Sequence, residues 1–179
     1  MTYRIRRDCR LCASNDVFEV LRLAPTPPAN EFVDDHDPPQ EPIPLYLVRC
    51  DRCGHVQLPV VVSPDRLFGK YVYVSGTSPS FVEHFKKYAE SCVSDFGLKH
   101  GDLVVDIGSN DGTLLKFFQR SGMNVVGVDP ASDIAAQATA DGVPTWQEFF
   151  TRATAARISI KHGKAALVVA NNVFAHAAD

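Results

Sequence analysis

The sequence predicts an α/β protein made of two parts: a small β-rich N-terminal lobe held by a metal ion, and an incomplete parallel sheet flanked by helices. Two observations carry this prediction. Four of the five cysteines form two Cys-x-x-Cys pairs, at residues 9–12 and 50–53, and strand-like and helix-like patterns alternate from residue 103 to residue 170. We place the division after residue 78, which gives predicted domains of residues 1–78 and 79–179.

Composition narrows the classes of protein to which the chain can belong. With 45% apolar and 22% charged residues, the 179-residue chain matches a folded soluble domain and excludes a disordered or fibrous one. Its 18 basic and 21 acidic residues give a net charge of -3, without the basic field that nucleic acids and anionic membranes attract. No apolar run approaches the roughly 20 residues of a membrane span, and no apolar segment follows the N-terminal arginines as it would in a secretory signal. We therefore expect a cytoplasmic protein without nucleic-acid or membrane partners.

The cysteine pairs predict a structural zinc site. Two residues separate the cysteines of each pair, so that a tight turn directs both sulfur atoms to one point. Two such turns supply the four thiolates of a closed tetrahedral zinc site, namely Cys9, Cys12, Cys50 and Cys53. Buried free cysteines and a redox pair are the alternatives, although no βαβ pattern of the kind that accompanies redox pairs surrounds either motif. Because a closed site leaves no position for substrate, we expect this zinc to stabilise the fold.

The residues between the two pairs complete the predicted lobe. Seven of the twelve prolines lie there and exclude a helix. Acidic residues in the same stretch indicate a solvated surface loop. Short strands predicted at residues 45–49 and 55–58 flank the second cysteine pair.

The second part is predicted to begin with a helix and to continue as an α/β sheet. Apolar residues recur at steps of three and four from Phe81 to Phe96, the period of an amphipathic helix. Ser80 and Glu83 form a capping-box pattern at its start, and Gly97 ends it. The sheet is predicted from four strands, at residues 103–107, 125–128, 144–146 and 165–170, and three helices, at residues 113–121, 132–140 and 151–160.

The turn after the first sheet strand has the features of a nucleoside-cofactor site. It runs from Asp106 to Gly112 and opens a helix, so that a ligand can approach the backbone closely and meet free N–H groups. Its spacing departs from the dinucleotide fingerprint, and Asp106 and Asp111 would repel a pyrophosphate but suit a cationic ligand such as S-adenosylmethionine. Asp129 ends the second strand, where a carboxylate can bind both ribose hydroxyls. The alternative is that the glycines and the Asp129-Pro130 dipeptide only turn the chain.

Beyond these features, the chain resembles the S-adenosylmethionine-dependent sugar C-methyltransferases of deoxysugar biosynthesis. The resemblance covers nearly the whole chain. It is carried by the two cysteine pairs and by five further segments, TPPAN (26–30), CGHVQL (53–58), LFGKYVYVSGTS (67–78), GSNDG (108–112) and NNVFAHAAD (171–179). It implies a zinc-binding N-terminal lobe, a Rossmann-like methyltransferase domain and a C-terminal lobe that helps to hold a nucleotide-linked ketosugar.

The resemblance also implies which residues act. A base removes the proton next to a sugar ketone, and the resulting enolate attacks the sulfonium methyl group, with a tyrosine of the Tyr71/Tyr73 segment and His176 near the sugar. Aromatic packing of the tyrosines and a backbone hydrogen bond of His176 are the structural alternatives. The residues that we expect to contact the cofactor are Asp106, Gly108, Ser109, Asn110, Gly112, Asp129, Pro130, Asn171 and Asn172.

The resemblance also implies that this chain is the front portion of such an enzyme. The family's three further strands, a Tyr-His-Glu-His segment that looks like its principal base machinery and its C-terminal lobe would follow residue 179. The fourth strand would then present an apolar edge that favours self-association. A non-catalytic zinc- and cofactor-binding module, and a methyltransferase acting on oxygen or on a small metabolite, are the alternatives. The methylated carbon, the nucleotide of the substrate and the choice between Tyr71 and Tyr73 stay open.

Overall fold

The structure, a computed structural model, describes residues 2–70 and 72–176. Its contacts divide the chain into two compact units, the first ending at Phe68 and the second beginning at Gly69. Residues 69–78, which the predicted division assigns to the first domain, therefore group with the second unit. The physical reason is that the backbone N–H groups of Ser75 and Gly76 donate hydrogen bonds to side chains of the second unit.

The first unit is a small antiparallel assembly. One sheet has two strands, β1 and β5, and the other has three in the order β2-β3-β4. A short helix, α1, follows the last strand. The elements are β1 Tyr3–Ile5, β2 Val17–Thr26, β3 Ile43–Cys50, β4 Val56–Gln57, β5 Val60–Val62 and α1 Pro64–Phe68. Strands β3 and β4 confirm the two strands predicted beside the second cysteine pair.

The loop between the cysteine pairs is shorter than predicted, because β2 extends as far as Thr26. A register irregularity between Leu23 and Thr26 accommodates Pro25, which has no N–H to donate to the neighbouring strand. Residues 27–42 contain no helix or strand, as their prolines predict. Arg66 of α1 fixes this loop through two hydrogen bonds to the Glu31 carboxylate, of 2.7 and 2.8 Å.

The first long helix of the second unit, α2, spans Pro79–Asp95 and begins earlier than predicted. Its N-cap is Ser78, and no side-chain hydrogen bond caps it, so the capping box predicted at Ser80 and Glu83 is wrong. A proline in the first turn explains the earlier start, because its fixed φ suits a helix and its missing N–H would have no partner there. The helix ends just before Gly97, which has the predicted positive φ of 60°.

A parallel sheet with alternating helices forms the rest of the second unit and confirms the predicted α/β fold. Its strand order is β8-β7-β6-β9, and every neighbouring pair is parallel. Each predicted strand and helix is present, with small shifts at the ends. The elements are β6 Leu103–Ile107, α3 Thr113–Arg120, β7 Asn124–Val128, α4 Ser132–Ala140, β8 Thr145–Trp146, α5 Arg152–His162 and β9 Leu167–Val169.

Two hydrophobic clusters hold this sheet and its helices together. The larger cluster packs α2 and α3 against the sheet, and it includes Phe85, Ala89, Cys92, Leu115 and Phe118. The smaller cluster packs α5 against β6 and β7 through Leu103, Val105, Val126, Val128 and Ile158. Burial of each large side chain contributes about 1.5–3 kcal/mol, so these clusters are the main stabilising term of the unit. Cys92 is 5% exposed and lies in the core, as predicted.

Strand β9 forms one edge of the sheet and pairs with β6 alone among the described strands. Val168, in the middle of β9, is 51% exposed. This apolar edge has the geometry on which the prediction of self-association rests. Within residues 2–70 and 72–176, no helix combines the length and the apolar character that crossing a membrane requires.

Candidate functional site

The four paired cysteines form one cluster in the first unit. The Sγ atoms of Cys9 and Cys53 lie 3.6 Å apart, as do those of Cys12 and Cys50, and all four lie within 4.8 Å of one another. A zinc ion with Zn–S bonds of about 2.3 Å requires S···S separations of about 3.8 Å in a tetrahedron. The cluster therefore has the size and the donor set of a closed zinc site.

Matching turns produce this cluster. In each pair, the residue after the second cysteine donates its N–H to the carbonyl of the first cysteine, from Ala13 to Cys9 and from Gly54 to Cys50, both at 2.9 Å. Both donor residues have positive φ, 56° at Ala13 and 76° at Gly54. Glycine at position 54 signals this conformation in the sequence. Alanine at position 13 gives no such signal, so the symmetry of the two turns becomes visible only in the structure.

The thiols of this cluster influence each other's ionisation. Burial raises the pKa of Cys9. Hydrogen bonds from the backbone N–H groups of Cys12 and Leu11 and with the neighbouring thiols outweigh this effect, and the pKa falls to about 7. A backbone hydrogen bond at His55 lowers the pKa of Cys53, whereas burial and the other three thiols raise it to about 12. Cys53 therefore does not ionise easily beside the other sulfurs, and a bound cation would remove the repulsion that opposes its thiolate.

In the second unit, the glycine loop and Asp129 lie together at the carboxyl ends of β6 and β7. The Gly108 N–H donates to the carbonyl of Val128 at 2.7 Å, and the Asn110 N–H donates to Asp129 Oδ2 at 2.8 Å. Asp129 Oδ1 accepts from the Ala131 N–H at 2.9 Å. Each carboxylate oxygen has a second lone pair, so Asp129 can hold the loop and also accept hydrogen bonds from a ligand.

This edge lies at the topological switch point of the sheet. The chain leaves β6 toward β7 on one side, and β9 returns to pair with β6 on the other side, so a crevice opens at their carboxyl ends. Among the described residues, three side-chain atoms of this region are buried and have no hydrogen-bond partner: Asp106 Oδ1, Ser109 Oγ and Asn171 Nδ2. Buried polar atoms normally have partners, so unpaired ones beside a crevice indicate a place for a polar ligand.

Asp106 is the most strongly perturbed of these groups. Burial, and then the negative charge of Asp129, raise the pKa of its carboxyl well above the usual value. Burial also raises the pKa of Asp129, although the N–H groups of Ala131 and Asn110 partly oppose this effect. The two carboxyls create a negative environment that favours a cationic ligand.

The raised pKa of Asp106 makes the stability of the second unit depend on pH. The folded state binds the Asp106 proton more tightly than the unfolded state, so the free energy of unfolding should fall as pH rises above the ordinary value of about 3.9. Asp106→Asn should make this dependence flatter at pH values above about 4 and raise stability near neutral pH. Urea unfolding followed by the fluorescence of Trp146, the single tryptophan, measures both effects. Asp133→Asn, at an exposed acid on α4, is the control, and an equal change in both variants would contradict the prediction.

The two glycines of the loop are required by contacts within the protein. A Cβ atom at Gly108 would lie 2.4 Å from Cγ2 of Val173, and one at Gly112 would lie 2.9 Å from Val143. Both glycines also have positive φ, 70° and 74°. The structure thus gives these glycines the turn-forming and packing role that the sequence left as the alternative, and the loop after β9 lies against Gly108.

The side chains of Asn110 and Asp111 are also bound by the chain itself. The Asn110 side chain forms hydrogen bonds with the backbone of Tyr73 and Ser75. The carboxylate of Asp111 accepts hydrogen bonds from the backbone N–H groups of Gly76 and Thr113. The sequence predicts that the charge of Asp111 favours a cationic ligand. Its position shows that its carboxylate serves first as a hydrogen-bond acceptor for the backbone.

The remaining predicted site residues lie around this edge or outside the described chain. Asn171 and Asn172 follow β9, Pro130 follows Asp129, and His176 ends an exposed single turn of 3-10 helix. The Tyr73 side chain is 45% exposed. Tyr71 lies outside the described residues. The roles of these residues stay predictions.

Tyr88 is a site neighbour that the sequence pattern does not reveal. Its place on the apolar stripe of α2 predicts only a core residue. Burial raises the pKa of its hydroxyl, as do Cys92 and the charge of Asp106, whereas the nearby side chain of Asn171 lowers it. Tyr88 therefore lies close to two of the expected cofactor residues, and only the packing of α2 on the sheet shows this.

Comparison with known proteins agrees with both sites. A family described as a zinc binding domain matches residues 9–68, and a family described as a methyltransferase domain matches residues 105–179. The C-methyltransferase NovU of Streptomyces niveus is 40% identical over 174 residues, which are 96% of this chain. The chain therefore matches a zinc binding domain and a methyltransferase domain, in that order along the sequence. It spans 41% of the length of NovU.

These two domain matches agree with the ligands that the two sites fit. S-adenosylmethionine is the cofactor of a methyltransferase domain, and Asp106, Ser109 and Asn171 have buried polar atoms that are free to bind a polar ligand. Zinc is the structural metal of the first unit, and four sulfurs at tetrahedral separations fit it. The metal site and the expected cofactor site thus belong to different units of the chain.

Proposed function

We propose that this chain forms the zinc-binding and cofactor-binding part of a C-methyltransferase that transfers a methyl group from S-adenosylmethionine to a carbon of a nucleotide-linked deoxyketosugar. One observation carries the cofactor half of the proposal. Three unpaired buried polar atoms, on Asp106, Ser109 and Asn171, lie at the switch point of the parallel sheet. The similarity to a C-methyltransferase supports carbon as the methyl acceptor, and the sugar substrate comes from the family resemblance of the sequence.

The proposed function gives separate roles to the residues that would contact the cofactor and those that would contact the sugar. S-adenosylmethionine supplies an electrophilic methyl group. Asp129 would accept hydrogen bonds from the ribose hydroxyls, while Asp106 and Asn171 would orient the charged end of the cofactor. The exposed side chains of Tyr73 and His176 are candidates for contacts to the sugar, with an imidazole suited to carrying a proton near neutral pH. Tyr71 is the other tyrosine candidate. Deprotonation next to the ketone would give an enolate whose carbon attacks the methyl group.

A non-catalytic module is the second candidate function. The observation that favours it is the exposed edge of β9. A sheet with an open parallel edge can bind the cofactor weakly and pair with a second strand, from another copy or from a continuation of the fold. We place either form of the protein in the cytoplasm.

Calorimetric titration tests the assignment of Asp129. Wild-type protein should bind S-adenosylmethionine, and Asp129→Asn should weaken binding about 10-fold or more, because a hydrogen bond to a charged group contributes about 1.5–3 kcal/mol. An analogue without ribose hydroxyls should bind wild-type and variant equally. Asp133→Asn, on the helix that follows, is the matched control and should bind as wild type does.

Two outcomes would overturn parts of the proposal. If wild-type protein shows no affinity for S-adenosylmethionine, the cofactor assignment is wrong. If Asp129→Asn weakens the binding of the analogue as much as that of the cofactor, Asp129 acts only on the loop. An assay of labelled methyl transfer to a ketosugar nucleotide then separates an enzyme, which incorporates label, from a module that binds without turnover.

A further inference from the structure

The segment Tyr73–Gly76 is attached to the glycine loop by side chains of that loop. Asn110 Nδ2 donates to the carbonyl oxygen of Tyr73 at 2.8 Å, and Asn110 Oδ1 accepts from the N–H of Ser75 at 2.9 Å. Asp111 Oδ2 accepts from the N–H of Gly76, also at 2.9 Å. Two neighbouring loop residues therefore make three hydrogen bonds to three residues of this segment, which is distant in sequence.

The two hydrogen bonds of the Asn110 side chain are buried or partly buried and geometrically specific, whereas the bond between Gly76 and Asp111 is exposed. Asn110 is 8% exposed and Ser75 is 9% exposed, so a lost bond would leave a buried polar group unpaired. Asn110 has a positive φ of 51°, a conformation that asparagine tolerates better than most residues. The amide uses both its donor and its acceptor, so neither a purely donating nor a purely accepting side chain can replace it.

Close packing reinforces the attachment at its other end. A Cβ atom at Gly76 would lie 2.6 Å from Asp111 Oδ2 and 2.9 Å from Thr113 Oγ1. The φ of Gly76 is not positive, so the absence of a side chain here serves close approach and not an unusual backbone conformation. The Asp111 carboxylate also accepts from the N–H of Thr113, which opens α3. Asp111 thus joins the segment to the first turn of the helix.

The same loop residue is connected to the predicted ribose-binding acid. The backbone N–H of Asn110 donates to Asp129 Oδ2 at 2.8 Å, while its side chain holds Tyr73 and Ser75. A continuous path of hydrogen bonds therefore runs from the Asp129 carboxylate through Asn110 to the backbone of Tyr73. A ligand that changes the position of Asp129 changes the position of the group that fixes Tyr73.

We propose that Asn110 and Asp111 are positioning residues that couple occupation of the cofactor loop to the placement of segment Tyr73–Gly76. This inference rests on the proposed function, in which the loop holds S-adenosylmethionine and Tyr73 faces the acceptor. Binding of the cofactor stabilises the loop conformation in which all three hydrogen bonds form, and the segment becomes ordered. Because linkage is reciprocal, an ordered segment also raises the affinity of the loop for the cofactor.

Hydrogen exchange at the amides of Ser75 and Gly76 tests the attachment without any assay of turnover. Asn110→Gly keeps the positive φ but removes both side-chain bonds, and should lower the protection of the Ser75 amide about 10-fold, the effect of one lost hydrogen bond. Asp111→Ala should lower protection at Gly76 similarly, whereas Asp111→Asn keeps an acceptor and should restore much of it. Asn124→Ala is the control, because it removes a hydrogen bond from a side-chain amide to the Gly101 carbonyl at the opposite end of the sheet. It should leave the protection of the Ser75 and Gly76 amides unchanged.

The cofactor arm of the experiment tests the coupling. In wild-type protein, saturating S-adenosylmethionine should raise protection at Ser75 and Gly76, and in Asn110→Gly this rise should disappear while cofactor affinity falls. If calorimetry finds no cofactor binding to wild-type protein, the proposed function fails and the coupling fails with it. If the cofactor binds but protection at these amides stays constant, or rises equally in Asn110→Gly, the coupling alone is overturned.

Discussion

Replacing Cys50 with serine is expected to abolish stoichiometric zinc binding and to unfold the first unit. Cys50 is 1% exposed and lies in the four-sulfur cluster, and a serine hydroxyl is a poor ligand for zinc. The unit has few buried apolar side chains, so metal binding supplies much of its folding free energy, as in zinc-finger peptides where zinc contributes about 10–16 kcal/mol. Loss of even half of such a contribution exceeds the stability of a domain this small.

Metal analysis and limited proteolysis measure this outcome. Wild-type protein should carry one zinc per chain, and Cys50→Ser should carry none and be cleaved rapidly within residues 2–68. Chelation of wild-type protein should reproduce the cleavage. Cys92→Ser is the matched control, because Cys92 is also buried but lies in the core of the second unit, where the change should cost about 1–2 kcal/mol and leave zinc in place. Retention of zinc by Cys50→Ser would mean that the other three sulfurs suffice.

The zinc site shows which features of this fold a sequence can predict. Two residues between cysteines constrain a turn locally, so the spacing of the cysteines alone identifies the four ligands. Strands β1, β2 and β5 escape prediction, because their stability comes from long-range pairing and not from a local alternation of apolar and polar residues. In β2, all residues after Val17 are exposed, so no period-two pattern of burial marks this strand.

The second unit shows the same division between local and long-range information. Its strands and helices follow periodic patterns and turn glycines, which predict them with small errors at the ends. The uses of Asn110 and Asp111 could not be predicted, because their partners lie 35 to 37 residues away in the chain. Tyr88 occupies an ordinary core position of α2 by its spacing, and only the docking of that helix brings it near Asp106.

Gly108→Ala is expected to destabilise the second unit by about 2–5 kcal/mol, the sum of about 1–2 for an alanine at positive φ and about 1–3 for overpacking. The alanine Cβ would meet Cγ2 of Val173 at 2.4 Å in the loop that follows β9. Gly97→Ala introduces the same kind of backbone strain, at a φ of 60°, but nothing lies within 4 Å of its Cβ. Gly97→Ala should therefore be destabilised only by the backbone strain, by about 1–2 kcal/mol.

A double-mutant cycle separates the collision from the backbone strain. Val173→Ala removes the methyl group that the new Cβ would strike, so the double variant Gly108→Ala/Val173→Ala should be more stable than the sum of the single changes predicts, by about 1–2 kcal/mol. Urea unfolding monitored through Trp146 in β8 gives the four free energies, since this tryptophan belongs to the same unit. If the free energies are strictly additive, the loop after β9 moves to accommodate the new methyl group without any loss of stability. The close approach of Val173 to Gly108 would then not constrain the crevice, and glycine at position 108 would be required by its positive φ alone.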